Sequence, residues 1–116
     1  MHRFKEFEFW KKSRELNKEI YLITNAFPDV EKFGLISQLR SASVSISSNI
    51  AEGCSRRSYK DFYRFLEIAI GSAYEVESQL LLALDLEFIE EKEQLTLVNK
   101  IETIVKMMSK YMSTLK

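Results

Sequence analysis

Four stretches of the chain repeat apolar or small residues at alternating steps of three and four. That spacing permits little besides amphipathic helices packed side by side. The first stripe is Phe9, Ser13, Leu16, Ile20, Ile23 and Phe27, and the second is Leu35, Leu39, Ala42, Ile46 and Asn49. The third runs Phe62, Leu66, Ala69, Ala73, Val76, Leu80 and Ala83, and the fourth Val98, Ile101, Val105, Met108, Met112 and Leu115. Pro28 ends the first helix, because the residue before a proline avoids the α region. Gly53 is well placed as the left-handed residue after a second helix from about Leu35 to Glu52. Ser58, with Asp61 three residues on, resembles a capping box and opens a third helix that runs to about Leu86. A turn follows around Glu87 to Glu91. Three glycines and one proline are too few for the turns of an all-β fold, and 116 residues suit one domain. The expectation is an all-α fold, an antiparallel up-down four-helix bundle forming a single domain over residues 1–116.

Two helices carry more than a core stripe. Six of the twelve residues from Ser37 to Ser48 are serine, a mediocre helix former whose hydroxyl competes for backbone groups. Tertiary packing of a small-residue face must hold that segment helical. Asn49 occupies an inward position, where it would fix register. Glu52, one turn on, could hold the next helix or an arginine such as Arg40. The third helix has a second apolar strip, Tyr63, Ile70, Tyr74 and Leu81, and so wants a neighbour beyond the core.

Seventeen basic and seventeen acidic side chains leave the whole chain neutral, unlike most nucleic-acid binders. Residues 1–64 nevertheless hold 12 basic against 8 acidic groups, and residues 65–116 hold 5 against 9. The densest basic cluster is Arg56, Arg57, Lys60 and Arg64, opposed locally only by Asp61. Tyr59 and Tyr63 interleave with it, and such aromatics stack on unpaired bases, while a helix start suits a phosphate. The plain alternative is that these cations solvate a turn and pair with Glu52 or Glu67. The tract Glu87, Glu90, Glu91, Glu93 reads as a solvated turn and helix start. Met107, Met108 and Met112 read as gap-filling core residues.

Catalytic groups are scarce. His2 is the single histidine and lies at a terminus expected to fray, so neither a histidine base nor a histidine-ligated metal is expected. Cys54 has no histidine partner and reads as a small residue of the connection; alone, it excludes an internal disulfide. No glycine-rich phosphate loop is present, and no cofactor or metal is expected. No apolar run reaches the roughly 18–20 residues of a membrane span, and the first residues lack a signal-peptide core. A cytoplasmic, non-enzymatic protein is expected.

The run Phe27-Pro28 … Glu31-Lys-Phe-Gly-Leu35, Gln38-Leu39-Arg40, Ser45-Ile46 … Asn49-Ile-Ala-Glu-Gly53, Ser58 … Phe62-Tyr-Arg-Phe-Leu66, Ala69-Ile-Gly-Ser72 resembles the bacterial four-helix-bundle family of 23S rRNA intervening-sequence proteins. The most specific part is Asn49 to Gly53 followed by Gly71-Ser72 and the acidic Glu75 and Glu77. Some members of that family are encoded within insertions in 23S rRNA genes. The family is similar to the accessory protein of diversity-generating retroelements, a pentameric barrel whose basic surface engages nucleic acid and a reverse transcriptase. The resemblance therefore implies a homopentamer, with Tyr63, Ile70, Tyr74 and Leu81 buried between subunits. It implies RNA or a nucleic-acid-binding protein as partner, and the basic cluster read from the residues, Arg56, Arg57, Lys60 and Arg64, is where such a partner would be met. Asn49, Glu52, Gly53, Gly71 and Ser72 would be its structural motif. Two positions depart from the family pattern: Ser47 stands where a proline is usual, and Cys54 where a glycine is common. A purely structural or protein-interaction module is the alternative reading.

Overall fold

The computed structural model describes residues 3–115, and the four periodic segments are its four helices. They are α1 (Glu8–Thr24), α2 (Leu35–Cys54), α3 (Tyr59–Asp85) and α4 (Glu91–Met112), with short 3₁₀ turns at Phe4–Glu6 and Asp29–Glu31. No strand occurs among the described residues. Each helix packs on its sequence neighbours and α4 returns to α1, while the diagonal pairs lie across the core from each other. With short connections, this makes an antiparallel up-down four-helix bundle. Its long axis is 44 Å, close to the roughly 40 Å that the 27 residues of α3 span at 1.5 Å each.

Leu16 and Ile20 of α1, Leu39, Ile46 and Ile50 of α2, Leu66, Val76 and Leu80 of α3, and Ile101, Ile104 and Met108 of α4 form the centre of one apolar core. The stripes drift because a helix has 3.6 residues per turn. On α2 the step after Ile46 is four, so Ile50 is enclosed and Asn49 is only half-buried. On α4, Leu97 and Ile104 are enclosed, whereas Val105 is half-buried.

The elements end for local reasons. α1 stops at Thr24, and the chain turns through Asn25 and Ala26 so that Phe27, outside the helix, is still buried. The Ser58 side chain accepts from the Asp61 N–H at 3.1 Å and caps α3. α4 has the fuller device: Glu90 and Glu93 each accept from the other's backbone, a reciprocal capping box.

The serine-rich α2 is held by its neighbours. Toward α1, the Asn17 amide donates to the Ser43 carbonyl and its oxygen accepts from the Ser47 hydroxyl at 2.8 Å. Toward α3, the Ser72 hydroxyl donates to Ser45 Oγ at 2.9 Å. Hydroxyls that would compete with helical backbone in isolation thus tie α2 into the bundle on both sides.

Candidate nucleic-acid interface

The α2–α3 connection closes one end of the bundle. Gly53 was expected after the helix in a left-handed conformation, but it lies within α2, and no glycine among the described residues has a positive φ. Its smallness serves a close approach instead. A Cβ built there would meet Phe65 Cβ at 2.8 Å and the Phe62 ring at 3.0 Å. Cys54, expected in the connection, is the last residue of α2 and is buried. Burial pushes its thiol up to about 11, so it stays protonated near neutral pH and is a poor nucleophile. The chain then turns through Ser55, whose hydroxyl donates to the Glu52 carbonyl at 2.6 Å, and Arg56, whose N–H donates to the Gly53 carbonyl at 3.1 Å.

The four cations differ in their surroundings. Arg56 is tied back: its guanidinium is 3.7 Å from the Glu52 carboxylate and 4.6 Å from the centre of the Phe65 ring. Glu52 therefore meets Arg56 and not Arg40, which instead donates to Thr24 Oγ1 and Asn25 Oδ1 at 2.9 Å each, at the end of α1. Arg57, on the connection, and Lys60 and Arg64, one turn apart on the outer face of α3, are exposed and form no ion pair among the described residues. Glu67 pairs with none of the cluster.

Aromatics lie beside and beneath these cations. Tyr59 and Tyr63 are exposed and, with Lys60 and Leu115, line an open cleft of about 360 Å³. Under it, the Phe62 ring packs between Phe7 at 6.1 Å and Tyr111 at 6.0 Å. This cluster joins the N-terminal segment to the ends of α3 and α4, so α3 starts from a fixed base. The arrangement offers three unspent cations, two exposed rings and the amino end of a 27-residue helix, a set suited to phosphate and stacking contacts.

The other candidate positions fall elsewhere. Asn49, expected inside, donates to the Ser45 carbonyl and hydroxyl at 2.8 and 2.9 Å within its own helix. Gly71 faces outward, and a Cβ there would meet nothing within 4 Å. Tyr63, Tyr74 and Leu81 are exposed, and Ile70 is half-buried. His2 lies outside the described residues. Among those described, no group of three or more potential ligands could hold a metal, and no helix is long and apolar enough to cross a membrane. Sequence reasoning passed over Asn17, whose only signal was its place beside Ser13 and Leu16 on the inward side of α1.

Comparison with known proteins agrees with this architecture. Residues 5–110 match the family described as 23S rRNA-intervening sequence protein. A protein of unknown function from the S23 ribosomal protein family of Bacteroides thetaiotaomicron, solved by crystallography, superposes with a TM-score of 0.80 at 27% identity. The match covers 90% of this chain and 97% of that one. No curated protein matches the chain. With four helices in the expected order and a family match spanning nearly their whole length, the chain belongs to the 23S rRNA-intervening sequence protein family.

Proposed function

We propose that the protein is a non-catalytic, self-associating bundle that binds structured RNA through Arg57, Lys60 and Arg64. The observation that carries this reading is the unequal state of the cluster. Arg56 is neutralised by Glu52 and laid on Phe65, whereas the other three cations have no carboxylate partner among the described residues. A merely solvated turn would be expected to spend its cations on Glu52 and Glu67, and only Arg56 is spent. Self-association, in the fivefold form that the family resemblance implies, is supported by the exposed strip of Tyr63, Tyr74 and Leu81 on α3. It would repeat a three-cation patch around the assembly, so a neutral chain could still present a locally basic surface.

Fluorescence anisotropy of a labelled structured RNA across a salt series tests the reading. A variant with Arg57, Lys60 and Arg64 changed to Gln should bind more weakly and lose about two to three units of the log–log salt slope per subunit engaged, since each phosphate contact contributes roughly 0.7–0.9. Arg56→Gln should change the slope little. Wild-type affinity that is indifferent to salt, or a triple variant with an unchanged slope, would remove the RNA reading and leave a protein-interaction module.

A further inference from the structure

The start of α3 repeats one pair of side chains: Tyr59-Lys60 is followed one helical turn later by Tyr63-Arg64. Residues four apart on a helix share a face, with Cβ atoms about 5–6 Å apart, and successive residues turn to different faces. α3 therefore presents a row of two rings beside a row of two cations. The rings look toward the end of α4, where they line the open cleft of about 360 Å³ with Lys60 and Leu115. Tyr59 is 57% exposed and Tyr63 39%, so both rings keep surface open to a ligand. Neither Lys60 nor Arg64 forms an ion pair among the described residues.

The surrounding charges set the limits of these rows. Lys110, in the last turn of α4, adds a cation to this end. Glu52 is taken by Arg56. Asp61 is one turn before Phe65, which packs at Gly53 of α2, so it stands on the opposite side of α3 from the rings. Glu67 follows one turn after Tyr63, and the next cleft along the α3–α4 seam sets two carboxylates, Glu77 and Glu102, against one cation, Lys106. The basic, ring-lined stretch is thus two pairs long and ends where phosphate would be repelled.

Rings in step with cations match a ligand that alternates flat apolar groups with anions. A nucleic-acid strand alternates in this way, but a duplex stacks its bases on one another and offers mainly phosphates. Unpaired nucleotides of a loop or bulge offer both. The cleft has room, since an apolar cavity of roughly 150 Å³ already accommodates benzene. We infer that the start of α3 selects RNA carrying a short unpaired segment, with neighbouring bases stacked on Tyr59 and Tyr63 and their phosphates on Lys60 and Arg64. The inference rests on the RNA reading proposed above and names the feature of the RNA that is read. Of the α3 strip, it assigns Tyr63 to RNA and leaves Ile70, Tyr74 and Leu81 for contact between copies.

Anisotropy with two fluorescein-labelled RNA hairpins tests this, one with a fully paired stem and one with two adenines bulged from the same stem. One stacked base supplies about fivefold or more in affinity, so the wild type should prefer the bulged hairpin by at least about twentyfold. Tyr63→Leu keeps an apolar side chain without an aromatic face and should lower that preference at least about fivefold, while Tyr63→Phe should retain it. Both variants should bind the paired hairpin with wild-type affinity and salt slope, because the cations are untouched, and should sediment as the wild type does. Equal wild-type binding of the two hairpins, with a steep salt slope, would overturn base stacking and leave the phosphate contact standing. A preference unchanged in Tyr63→Leu would do the same. A Tyr63→Leu chain that sediments as a smaller species would place Tyr63 between copies and overturn its assignment to RNA. Absence of salt-dependent binding to either hairpin would remove the RNA reading and this inference together.

Discussion

At Gly53 two effects oppose each other. Alanine is the better helix former by about 1 kcal/mol, and Gly53 is helical, so propensity alone favours Gly53→Ala. The added Cβ would stand 2.8 Å from Phe65 Cβ, an atom next to the α3 backbone that cannot swing aside. Overpacking of this kind costs about 1–3 kcal/mol, so steric cost should win or at worst balance. Urea unfolding should show a lower midpoint for Gly53→Ala with an unchanged slope; a variant more stable than wild type would mean that the helices separate easily. Gly71→Ala is the control, because open space receives its Cβ and only the propensity gain remains. The sequence makes Gly53 noticeable but not interpretable. Its place at the end of an apolar stripe suggests a helix terminator, and the reason it is small lies on α3, in Phe62 and Phe65. Cys54 shows the same limit: composition marks it as a lone thiol, and only packing reveals that it is shielded.

At the scale of elements, the end of α3 carries a built-in strain. Phe88 N–H donates to the Ala83 carbonyl and Glu87 N–H to the Leu84 carbonyl, both at 2.9 Å, the paired bonds of a Schellman ending. The motif puts Glu87 at φ 62°, the one positive φ among non-glycine described residues. A side chain there costs about 1–2 kcal/mol, which glycine avoids at some cost in unfolded-chain entropy. Glu87→Gly should therefore stabilise the protein by about 0.5–1 kcal/mol and raise the melting temperature by a few degrees. Glu87→Val should lower it, and equal melting temperatures for the two would show that the turn relaxes without strain. Helix positions were largely legible from the 3–4 spacing, because each helix repeats its inward face within its own sequence. What stabilises them was less so. The serines of α2 read as a weakness until Asn17 and Ser72 are placed beside them, and those partners come from other helices.

For the whole molecule, folding redistributes the charge asymmetry seen along the chain. The basic excess of residues 1–64 and the acidic excess of residues 65–116 do not form two halves of the bundle, because antiparallel packing interleaves them. The acidic groups of the two connections Asp29–Glu31 and Glu87–Glu91 meet at one end, while Arg56, Arg57, Lys60 and Arg64 lie at the other. Packing is uneven as well. The α2–α3 pair is the tightest in the bundle, and the α1–α4 pair, which closes the ring, is the loosest. Small residues explain the first: the Ser45 and Ser72 hydroxyls meet at 2.9 Å, Gly53 lets Phe62 and Phe65 come close, and Ala42, Ala69 and Ala73 are buried on the two helices. Shallow clefts mark the second, one of about 110 Å³ lined by Lys12, Glu15, Lys100 and Thr103, another of about 270 Å³ lined by Ile23, Lys92 and Thr96. The seam is bridged by Lys100 and Glu19 at 2.6 Å, a partly exposed pair worth only about 0–1 kcal/mol. Both helices of the loose seam are terminal, so either can peel away without breaking a connection between the others. Native-state hydrogen exchange should therefore find α1 and α4 opening sub-globally at lower free energy, with α2 and α3 amides exchanging only through complete unfolding. Uniform protection across all four helices would show a single cooperative unit and rule out the peeling route. If α2–α3 is the persistent half, the start of α3 keeps its contact with α2 at Gly53 but loses the Phe7 and Tyr111 rings that pack on Phe62, so the proposed RNA contact should weaken whenever the terminal helices open.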